Sequence, residues 1–442
     1  MADGRHSAPR GRSDKAAAAA GALANEQRLR ALGEAVDRRA GITPKKARRT
    51  GSRRRRYVII SGIVVVGLLV ALVGGGYLYA QWRFSQISKF NVTGEVARIS
   101  NQPFNILSIG SDSRAGLTGL VARQSGATTG QAAGQRSDVV KIMHVDPAAG
   151  TITILSIPRD TMVTLLANQS LFGRFNRINV NYGNGPSLLA QTITANFGIP
   201  ISHVIQVNFA GLINAADAVG GVYLDFPYPA KDPYSGLKVL HAGCQIVTGF
   251  QALAVARSRH YYWYQNGQWN YDVTSDFGRI QRQNAFLRAL LSRVKSIYNP
   301  LTLNSFLSKI PQGITLDQNF SLNELIGLAL KFHSLNPNAM KTYTLPTLGA
   351  TSSVGDVQFV QEPAAQQMLT NIFGSELMRP TNPPPNTALQ TPMPPVIPVT
   401  TTTVAAHHAS TSGGSTSAAH PTTTTTQPPE GLQYFDPVPC TP

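Results

Sequence analysis

The longest uninterrupted run of hydrophobic positions in the chain is YVIISGIVVVGLLVALVGGGYLYA, residues 57–80, in which no side chain is charged. As an α-helix this run would be about 36 Å long at about 1.5 Å per residue, whereas the hydrocarbon core of a bilayer is about 30 Å thick. A cleaved signal peptide is the alternative, but its apolar region typically has about 7 to 15 residues and follows a short basic head. Here 56 residues precede the run, so the pattern predicts a single transmembrane helix over residues 57–80.

Shorter periodic patterns follow this run, and they predict a folded domain over residues 101–380. Runs of β-branched and apolar residues predict strands at about 104–110, 139–146, 151–158, 203–208 and 220–225. Helical spacing of apolar residues predicts helices at about 186–197, 209–219, 248–256, 276–298, 302–309, 321–333 and 363–373. Strands interleaved with helices in this order predict an α/β fold class, an α-β-α sandwich around a central mixed sheet. Residues 81–100 are predicted to be a juxtamembrane linker.

Residues 1–56 lack periodic hydrophobic positions and are strongly basic. They contain 16 Lys and Arg against 5 Asp and Glu, which gives +11 of the chain's net charge of +17. This composition predicts a disordered arm, and the basic residues beside the membrane helix predict a cytoplasmic N-terminus, with the following domain outside the cell membrane. Because most of the excess charge lies in the arm rather than on the domain, it does not indicate a nucleic-acid partner.

Residues 381–442 are dominated by Pro, Thr, Ser, Ala and His, with threonine runs at 400–403 and 422–426. This composition cannot form a hydrophobic core and predicts a disordered tail. The chain has two cysteines, which excludes a disulfide-stapled mini-domain and a Cys-rich metal site. Cys440 could pair with Cys244 in an oxidising compartment, or both could be unpaired.

Aspartate and arginine stand together at three ends of predicted strands: SDSR at 111–114, RSD at 136–138 and PRD at 158–160. In α/β proteins, binding sites commonly lie outside the ends of strands. Carboxylates without His or Cys nearby suit a hard cation such as Mg²⁺, and arginines bind phosphate oxygens in a forked geometry. An aspartate at a strand end is alternatively a turn or cap residue, but three such groups together favour an anion and metal site.

The predicted helix that begins near Asp276 carries polar residues on its hydrophobic face. At 100° per residue, Asp276, Arg279 and Gln283 lie on the side that becomes apolar in the second half of the helix. Buried charges are unfavourable unless they are paired or bind a ligand, so this polar first half indicates a site. A structural Asp276–Arg279 ion pair is the alternative. Arg257 and Arg259 share a side only if their segment is extended, and form a second arginine pair.

An unusually aromatic segment, YYWYQNGQWNY at residues 261–271, separates the two arginine pairs. It could stack on sugar rings, lie at a membrane interface, or simply pin its own loop. Common catalytic motifs are missing, since the sequence contains no GxxxxGK[ST], HExxH, GxSxG or CxxC. This excludes the usual nucleotide hydrolase, zinc protease and serine esterase motifs.

Seven motifs therefore follow one another over about residues 103–298: GSDSR, QRSD before a hairpin, LSIPRD, FNRINVNYGNG, DAVGGVYLDF, LAVARSRH and DFGRIQRQ. Their order closely resembles the LytR-CpsA-Psr family of single-span bacterial membrane proteins. The resemblance implies an extracytoplasmic phosphotransferase of cell wall biogenesis. Such an enzyme moves a glycopolymer phosphate from a polyprenyl-pyrophosphate carrier to a peptidoglycan hydroxyl and releases polyprenyl phosphate, with Mg²⁺ on the pyrophosphate.

The same resemblance assigns roles to individual residues. Asp112 and Asp138 match the metal-associated aspartates. The positions that contact pyrophosphate match Arg136, Arg159, Arg257, Arg279 and Gln283. We expect catalysis to depend on Arg159, Asp276 and Arg259, with Asp160 and Arg114 as weaker candidates. Charge neutralisation by such residues is what phosphoryl transfer chiefly requires.

Two segments depart from the family pattern: the Gly- and Ala-rich insertion at 117–135 and the aromatic segment at 261–271. Two other functions use the same residues. One is a non-catalytic wall or regulatory module that binds polyprenyl phosphates, and the other is a hydrolase of lipid pyrophosphates. The aspartate pair argues against the non-catalytic module, because a lipid binder has no need of a metal site.

Overall fold

A computed structural model describes residues 13–41, 51–97, 101–114, 117, 137–295, 304–305, 308–332, 336, 340–385 and 433–441. The chain divides into two units, Met1–Gly75 and Gly76–Pro442. The predicted site residue Arg136 and most of the predicted insertion at 117–135 lie outside the described residues.

The first unit contains helix α1, Ser13–Arg39, and most of helix α2, Gly51–Ser85. The predicted transmembrane run lies inside α2. Within the described residues, this is the one helix long and apolar enough to cross a membrane, over Arg55–Ser85, which fits a single-pass membrane protein. Helix α1 falls in the arm that the composition predicts to be disordered. It is rich in Ala, Leu, Glu and Arg, which favour helix, and Glu26 pairs with Arg30 at 2.7 Å one turn later.

The second unit contains all the strands and the remaining helices. The strands are β1 Ser88–Phe90, β2 Phe104–Ser111, β3 Ser137–Asp146, β4 Thr151–Ile157, β5 Met162–Thr164, β6 Phe175–Arg177, β7 His203–Val207, β8 Val222–Phe226, β9 Ala230–Asp232, β10 Leu237–Val239, β11 Gly243–Val247, β12 Tyr262–Gln265, β13 Gln268–Tyr271, β14 Ile314–Asp317, β15 Lys341–Thr344, β16 Thr347–Ser352, β17 Gly355–Val360 and β18 Val438–Pro439. The helices are α3 Gln169–Phe172, α4 Pro186–Phe197, α5 Phe209–Ala218, α6 Gly249–Arg257, α7 Asp276–Lys295, α8 Leu322–Phe332 and α9 Ala364–Phe373, with 3₁₀ turns at Ile178–Asn184, Ile310–Gln312 and Gly374–Glu376.

The central sheet has seven strands in the order β1-β14-β7-β2-β3-β4-β15. It is mixed: β2 pairs parallel with β7 and antiparallel with β3, and β4 pairs antiparallel with β3 and parallel with β15. Its interior strands alternate little and are buried on both faces. In β2, Leu107 and Ile109 belong to a core that includes residues of helices α4 and α9, whereas Phe104 and Ile106 on the opposite face belong to a separate core. The predicted mixed α/β fold is therefore confirmed, and the predicted strands in this sheet match to within two residues at each end.

A second hydrophobic core joins helices α5, α6 and α7 to two smaller sheets. One has the order β11-β8-β18 and the other β10-β9-β12-β13. The aromatic segment predicted as a loop is thus a β-hairpin, β12–β13. Its turn is Asn266-Gly267, both at positive φ, which is the geometry that two-residue hairpin turns favour.

The predicted linker at 81–100 is largely part of the domain. Helix α2 continues to Ser85, β1 forms the edge of the central sheet beside β14, and Phe84, Ile87 and Val92 are buried. These buried positions belong to a short segment, so a search for long periodic segments does not detect them.

The predicted disordered tail ends in an ordered segment, residues 433–441. In it β18 pairs antiparallel with β8, Cys440 forms a disulfide with Cys244, and the Phe435 ring stacks on Trp263 at 3.8 Å. Of the two alternatives for the cysteines, the structure therefore has the bonded one. We call residues 433–441 the C-terminal strap.

Candidate functional site

Four strands of the central sheet bring their ends to one edge. Strands β2 and β7 are parallel and both end there, β3 is antiparallel to β2 and begins there, and β4 is antiparallel to β3 and ends there. A β-bulge at Gly110 turns the last residue of β2 at this edge. A β carbon at Gly110 would lie 2.7 Å from Cβ of Val139, so only glycine fits here. The three Asp/Arg groups of the sequence therefore meet at one edge.

Asp138 is the centre of the ion-pair network at this edge. Its Oδ1 lies 2.5 Å from Nη1 of Arg159, the residue that follows β4. Nη2 of Arg279 in α7 donates to the Asp138 backbone carbonyl at 2.8 Å, and Nη1 of Arg279 lies 4.0 Å from its Oδ2. Asp138 therefore links the sheet edge to the first turn of α7.

Asp276 forms the second half of the network, at the start of α7. Its Oδ1 lies 2.7 Å from Nη2 of Arg279 and 3.2 Å from Nε of Arg259. The structural Asp276–Arg279 ion pair is present, and Arg259 joins it from the segment after α6. Arg279 is 4% exposed, so one carboxylate holds a buried and a partly exposed guanidinium together.

Arg257 and Gln283 complete the site from α6 and α7. The Arg257 guanidinium lies 4.8 Å from the centre of the Phe209 ring. Gln283 donates from Nε2 to the Ala256 carbonyl at 2.9 Å, which fixes the end of α6 next to Arg257. The Gln283 Oε1 atom and the Arg279 Nε atom are buried without a hydrogen-bond partner among the described residues. Polar atoms left without partners at a cluster of arginines indicate room for a ligand.

The remaining predicted residues lie around this centre. Asp112 follows β2, and its charge acts on both Arg257 and Tyr182. The charge of Arg114 also acts on Arg257. Asp160 contacts Arg159 at 3.3 Å. Sequence reasoning missed Arg177 of β6, which lies 3.7 Å from Asp160, although it is part of the quoted motif FNRINVNYGNG.

Burial makes the positive charges of the arginines at this site energetically unfavourable. It lowers the pKa of Arg279, which Asp276 and Asp138 only partly offset, and it lowers the pKa of Arg257, an effect that Arg114 increases. Burial also acts to lower the pKa of Arg159, but the charges of Asp138 and Asp160 outweigh it and raise that pKa. Because arginine stays protonated in proteins, a lowered pKa indicates that the charged form is electrostatically unfavourable here, and a bound anion would relieve this.

Beneath the site lies a buried lysine that sequence reasoning missed. Lys141 in β3 donates from Nζ to Ser156 Oγ at 2.8 Å and to Asn284 Oδ1 in α7 at 2.6 Å. Burial, and then the charge of Arg279, lower the pKa of Lys141 to about 7. A lone charged residue in the apolar run VVKIMHV was the available signal.

A second buried ion-pair network supports the arginine-bearing segment from behind. Arg282, fully buried in α7, donates from Nη1 to Asp272 at 2.9 Å and to Asp436 of the C-terminal strap at 2.7 Å. Its Nη2 donates to the carbonyl of Ser258, the residue between Arg257 and Arg259. At 100° per residue, Arg282 lies to one side of the helix face that Asp276, Arg279 and Gln283 share, which agrees with this separate role.

Carboxylates are the groups of this site that could ligate Mg²⁺. Within the part of the chain that the structure describes, no group of three or more His, Cys, Asp or Glu side chains forms a metal cage. Mg²⁺ commonly takes one or two carboxylates and completes its shell with water and substrate phosphates. Asp112 and Asp138, both of whose charges act on Arg257, fit that pattern.

The profile of the LytR_cpsA_psr family matches residues 81–373. The chain belongs to the LytR_cpsA_psr family. One relative is the probable cell wall biosynthesis protein LcpB of Corynebacterium glutamicum. It is 30% identical to this chain over 336 residues, which cover 73% of this chain and 74% of that protein. Another is the polyisoprenyl-teichoic acid–peptidoglycan teichoic acid transferase TagV of Bacillus subtilis, 29% identical over 307 residues that cover 66% of this chain and 71% of that protein.

The fold of this LytR_cpsA_psr family member also resembles a solved structure, a LytR-Csp2A-Psr enzyme from Actinomyces oris. The TM-score is 0.51 at 22% identity, and the match covers 68% of this chain and 99% of that one. The family profile begins at residue 81, which agrees with the structure in counting the predicted linker as part of the domain.

Proposed function

We propose that this protein transfers a glycopolymer phosphate from a polyprenyl-pyrophosphate carrier to a hydroxyl of peptidoglycan. The observation that carries the proposal is the convergence of Arg159, Arg259 and Arg279 on the carboxylates of Asp138 and Asp276 at one sheet edge, where the charge of Asp138 also acts on Arg257. Arg279 is buried and its Nε donor has no partner among the described residues. A buried guanidinium with an unused donor among other arginines favours a compact, highly charged anion, and a pyrophosphate has that chemistry. The names of the relatives from C. glutamicum and B. subtilis agree with it.

In the proposed reaction the acceptor oxygen bonds to the phosphorus that carries the glycan. The bridging P–O bond breaks, polyprenyl phosphate leaves, and the hydroxyl proton passes to solvent. Arg159 and Arg279 would bind the phosphoryl oxygens, and Asp276 would hold Arg259 and Arg279 in position. Mg²⁺ held by Asp112 and Asp138 would neutralise further charge on the pyrophosphate. Arg136 belongs to the same proposal as a pyrophosphate contact.

The proposal places the domain outside the cell, with helix α2 in the membrane and the basic N-terminus in the cytoplasm. The arginine run at 53–56 precedes the apolar part of α2, as the positive-inside rule requires. A Cys244–Cys440 disulfide also suits an oxidising, extracytoplasmic compartment.

The test uses the full-length protein in detergent with a polyprenyl-pyrophosphate-linked oligosaccharide, Mg²⁺ and peptidoglycan oligomers. Mass spectrometry should detect a phosphodiester-linked product. Arg159→Ala should lower the rate about 10²- to 10³-fold, as does loss of one donor to a transition-state oxyanion. Arg174→Ala, an exposed arginine beside Phe175, is the matched control and should behave like wild type.

Two results would contradict the proposal. One is no product with wild-type protein while Arg159→Ala binds the lipid pyrophosphate as well as wild type does. The other is release of the glycan phosphate at the same rate with and without peptidoglycan, because this would identify water as the acceptor and the protein as a hydrolase.

A further inference from the structure

The outward face of the β12–β13 hairpin is built from aromatic rings. Partner residues across antiparallel strands project on the same face, and here Tyr262 pairs with Tyr271 and Tyr264 pairs with Trp269. The ring centres lie 5.0 Å apart in the first pair and 5.3 Å apart in the second. We call these four residues the aromatic platform.

The platform is exposed, whereas the opposite face of the hairpin is packed. Tyr264, Trp269 and Tyr271 are each 40–42% exposed. On the other face, Trp263 is 7% exposed and lies flat on Phe435 of the C-terminal strap. The packing of the inner face holds the hairpin in place, so the outward rings are not needed to pin it. Exposed aromatic surface on a fixed support indicates a binding surface.

Polar groups surround and orient the rings. Lys231 in the neighbouring strand β9 places Nζ 3.9 Å from the centre of the Trp269 ring. At the other end, His260 Nδ1 lies 3.1 Å from the Tyr271 hydroxyl. The hairpin turn is Gln-Asn-Gly-Gln, and residues 262–271 contain no Leu, Ile, Val or Phe. A segment that inserts among lipid chains would present aliphatic groups, whereas rings with hydroxyls, amides and a cation at their edges suit a hydrated polar ligand with apolar faces.

The Tyr271 end of the platform adjoins the segment that carries Arg259, because His260 contacts the Tyr271 hydroxyl. His260 directly follows Arg259, which lies 3.2 Å from Asp276. A ligand on the platform would thus reach the arginine cluster through His260. Pyranose rings have this ligand chemistry, since their C–H faces stack on aromatic rings and their hydroxyls bond to the polar rim.

We propose that the aromatic platform binds the glycan strand of the peptidoglycan acceptor and presents its hydroxyl to the site. This rests on the proposed function. The donor would be held by its pyrophosphate on the arginines, whereas the acceptor glycan has no phosphate to offer them. Its affinity must come from stacking and hydrogen bonds, and the platform supplies both.

The test measures two ligands separately on the full-length protein in detergent by calorimetry. The acceptor probe is a peptide-free tetrasaccharide of alternating N-acetylglucosamine and N-acetylmuramic acid, and the donor probe is geranylgeranyl pyrophosphate. Trp269→Ala should weaken tetrasaccharide binding about three- to tenfold, and Trp269→Ala with Tyr264→Ala by more than tenfold. Both variants should bind geranylgeranyl pyrophosphate like wild type. Phe172→Ala, which removes a ring that is also 42% exposed but lies in α3, is the matched control.

Four outcomes decide between the platform and its alternatives. Unchanged tetrasaccharide binding by the double variant overturns the platform. So does quenching of tryptophan fluorescence by brominated lipids in nanodiscs that is smaller in Trp269→Ala than in wild type, because this would make the membrane the occupant. Binding of a lipid-free donor oligosaccharide in place of the tetrasaccharide would also overturn it. In contrast, failure of the wild type to bind geranylgeranyl pyrophosphate counts against the proposed function alone, because the tetrasaccharide titration is measured independently.

Discussion

Substitution of Asp436 tests whether the C-terminal strap is part of the folded domain. Asp436→Ala removes a charged hydrogen bond to Arg282, a contact between two side chains that are fully buried. Such a bond contributes about 1.5–3 kcal/mol. Asp272 still neutralises Arg282, so the change should stay below the roughly 3–5 kcal/mol that follows when a buried charge loses its only partner. We expect about 2–3 kcal/mol less stability, which lowers the Tm by about 5–10 °C in a domain of this size.

Thermal unfolding of the full-length protein in detergent, followed by circular dichroism, measures this change. Asp436→Asn keeps an oxygen that accepts from Arg282 and should lose about half as much. Asp356→Ala, at an exposed hairpin position, is the control and should leave the Tm unchanged. Arg282 also donates to the Ser258 carbonyl. The Asp436→Ala variant should therefore catalyse transfer more slowly than wild type, even at temperatures where the variant remains folded. A Tm for Asp436→Ala within 1 °C of wild type would refute the reasoning.

Three further predictions concern pH and covalent structure. Burial acts to lower the pKa of His203, but Asp317 and Glu324 outweigh it and raise that pKa; stability from this contact should be present below about pH 6.5 and lost as the pH rises through the raised value. Urea unfolding between pH 5.5 and 9 should show wild type losing stability relative to His203→Gln as the pH rises. Lys141, whose pKa is lowered to about 7, has the opposite effect on stability. Wild type should gain stability relative to Lys141→Met from pH 7 to 10. Parallel plots of stability against pH for the two proteins would contradict the lowered pKa of the buried lysine. Replacing both Cys244 and Cys440 by serine should lower stability by about 2–5 kcal/mol, measured as a shift in the urea midpoint at constant slope.

The sequence predicts four of the seven strands of the central sheet and the charged residues that flank them, because these depend on local patterns, but it does not predict β1, β14 or β15. Runs of β-branched residues define β2, β3 and β4, and the antiparallel order of consecutive strands brings their flanking Asp138 and Arg159 to one edge. The geometry of α7 follows in the same way from helical periodicity, which places Asp276 and Arg279 on one side. Their roles in substrate and metal binding remain predictions.

Contacts between distant parts of the chain could not be predicted in this way. Asp436 and Arg282 are 154 residues apart, with a low-complexity segment between them. No periodicity connects them, and a nine-residue strap is too short to show a pattern of its own. The Lys141–Asn284 contact is similarly nonlocal, because the side chain that satisfies a buried lysine depends on which helix covers its strand.

The disulfide attaches the C-terminal end of the chain covalently to the domain. Residue Asn382 donates to the Ala195 carbonyl and Cys440 is bonded to Cys244, so both flanks of the Pro- and Thr-rich segment 386–432 are attached to the domain. A protease that cuts within that segment would produce two polypeptides but release neither. The nicked protein would keep its strap and the Asp436–Arg282 contact, and would separate into two bands only on a reducing gel.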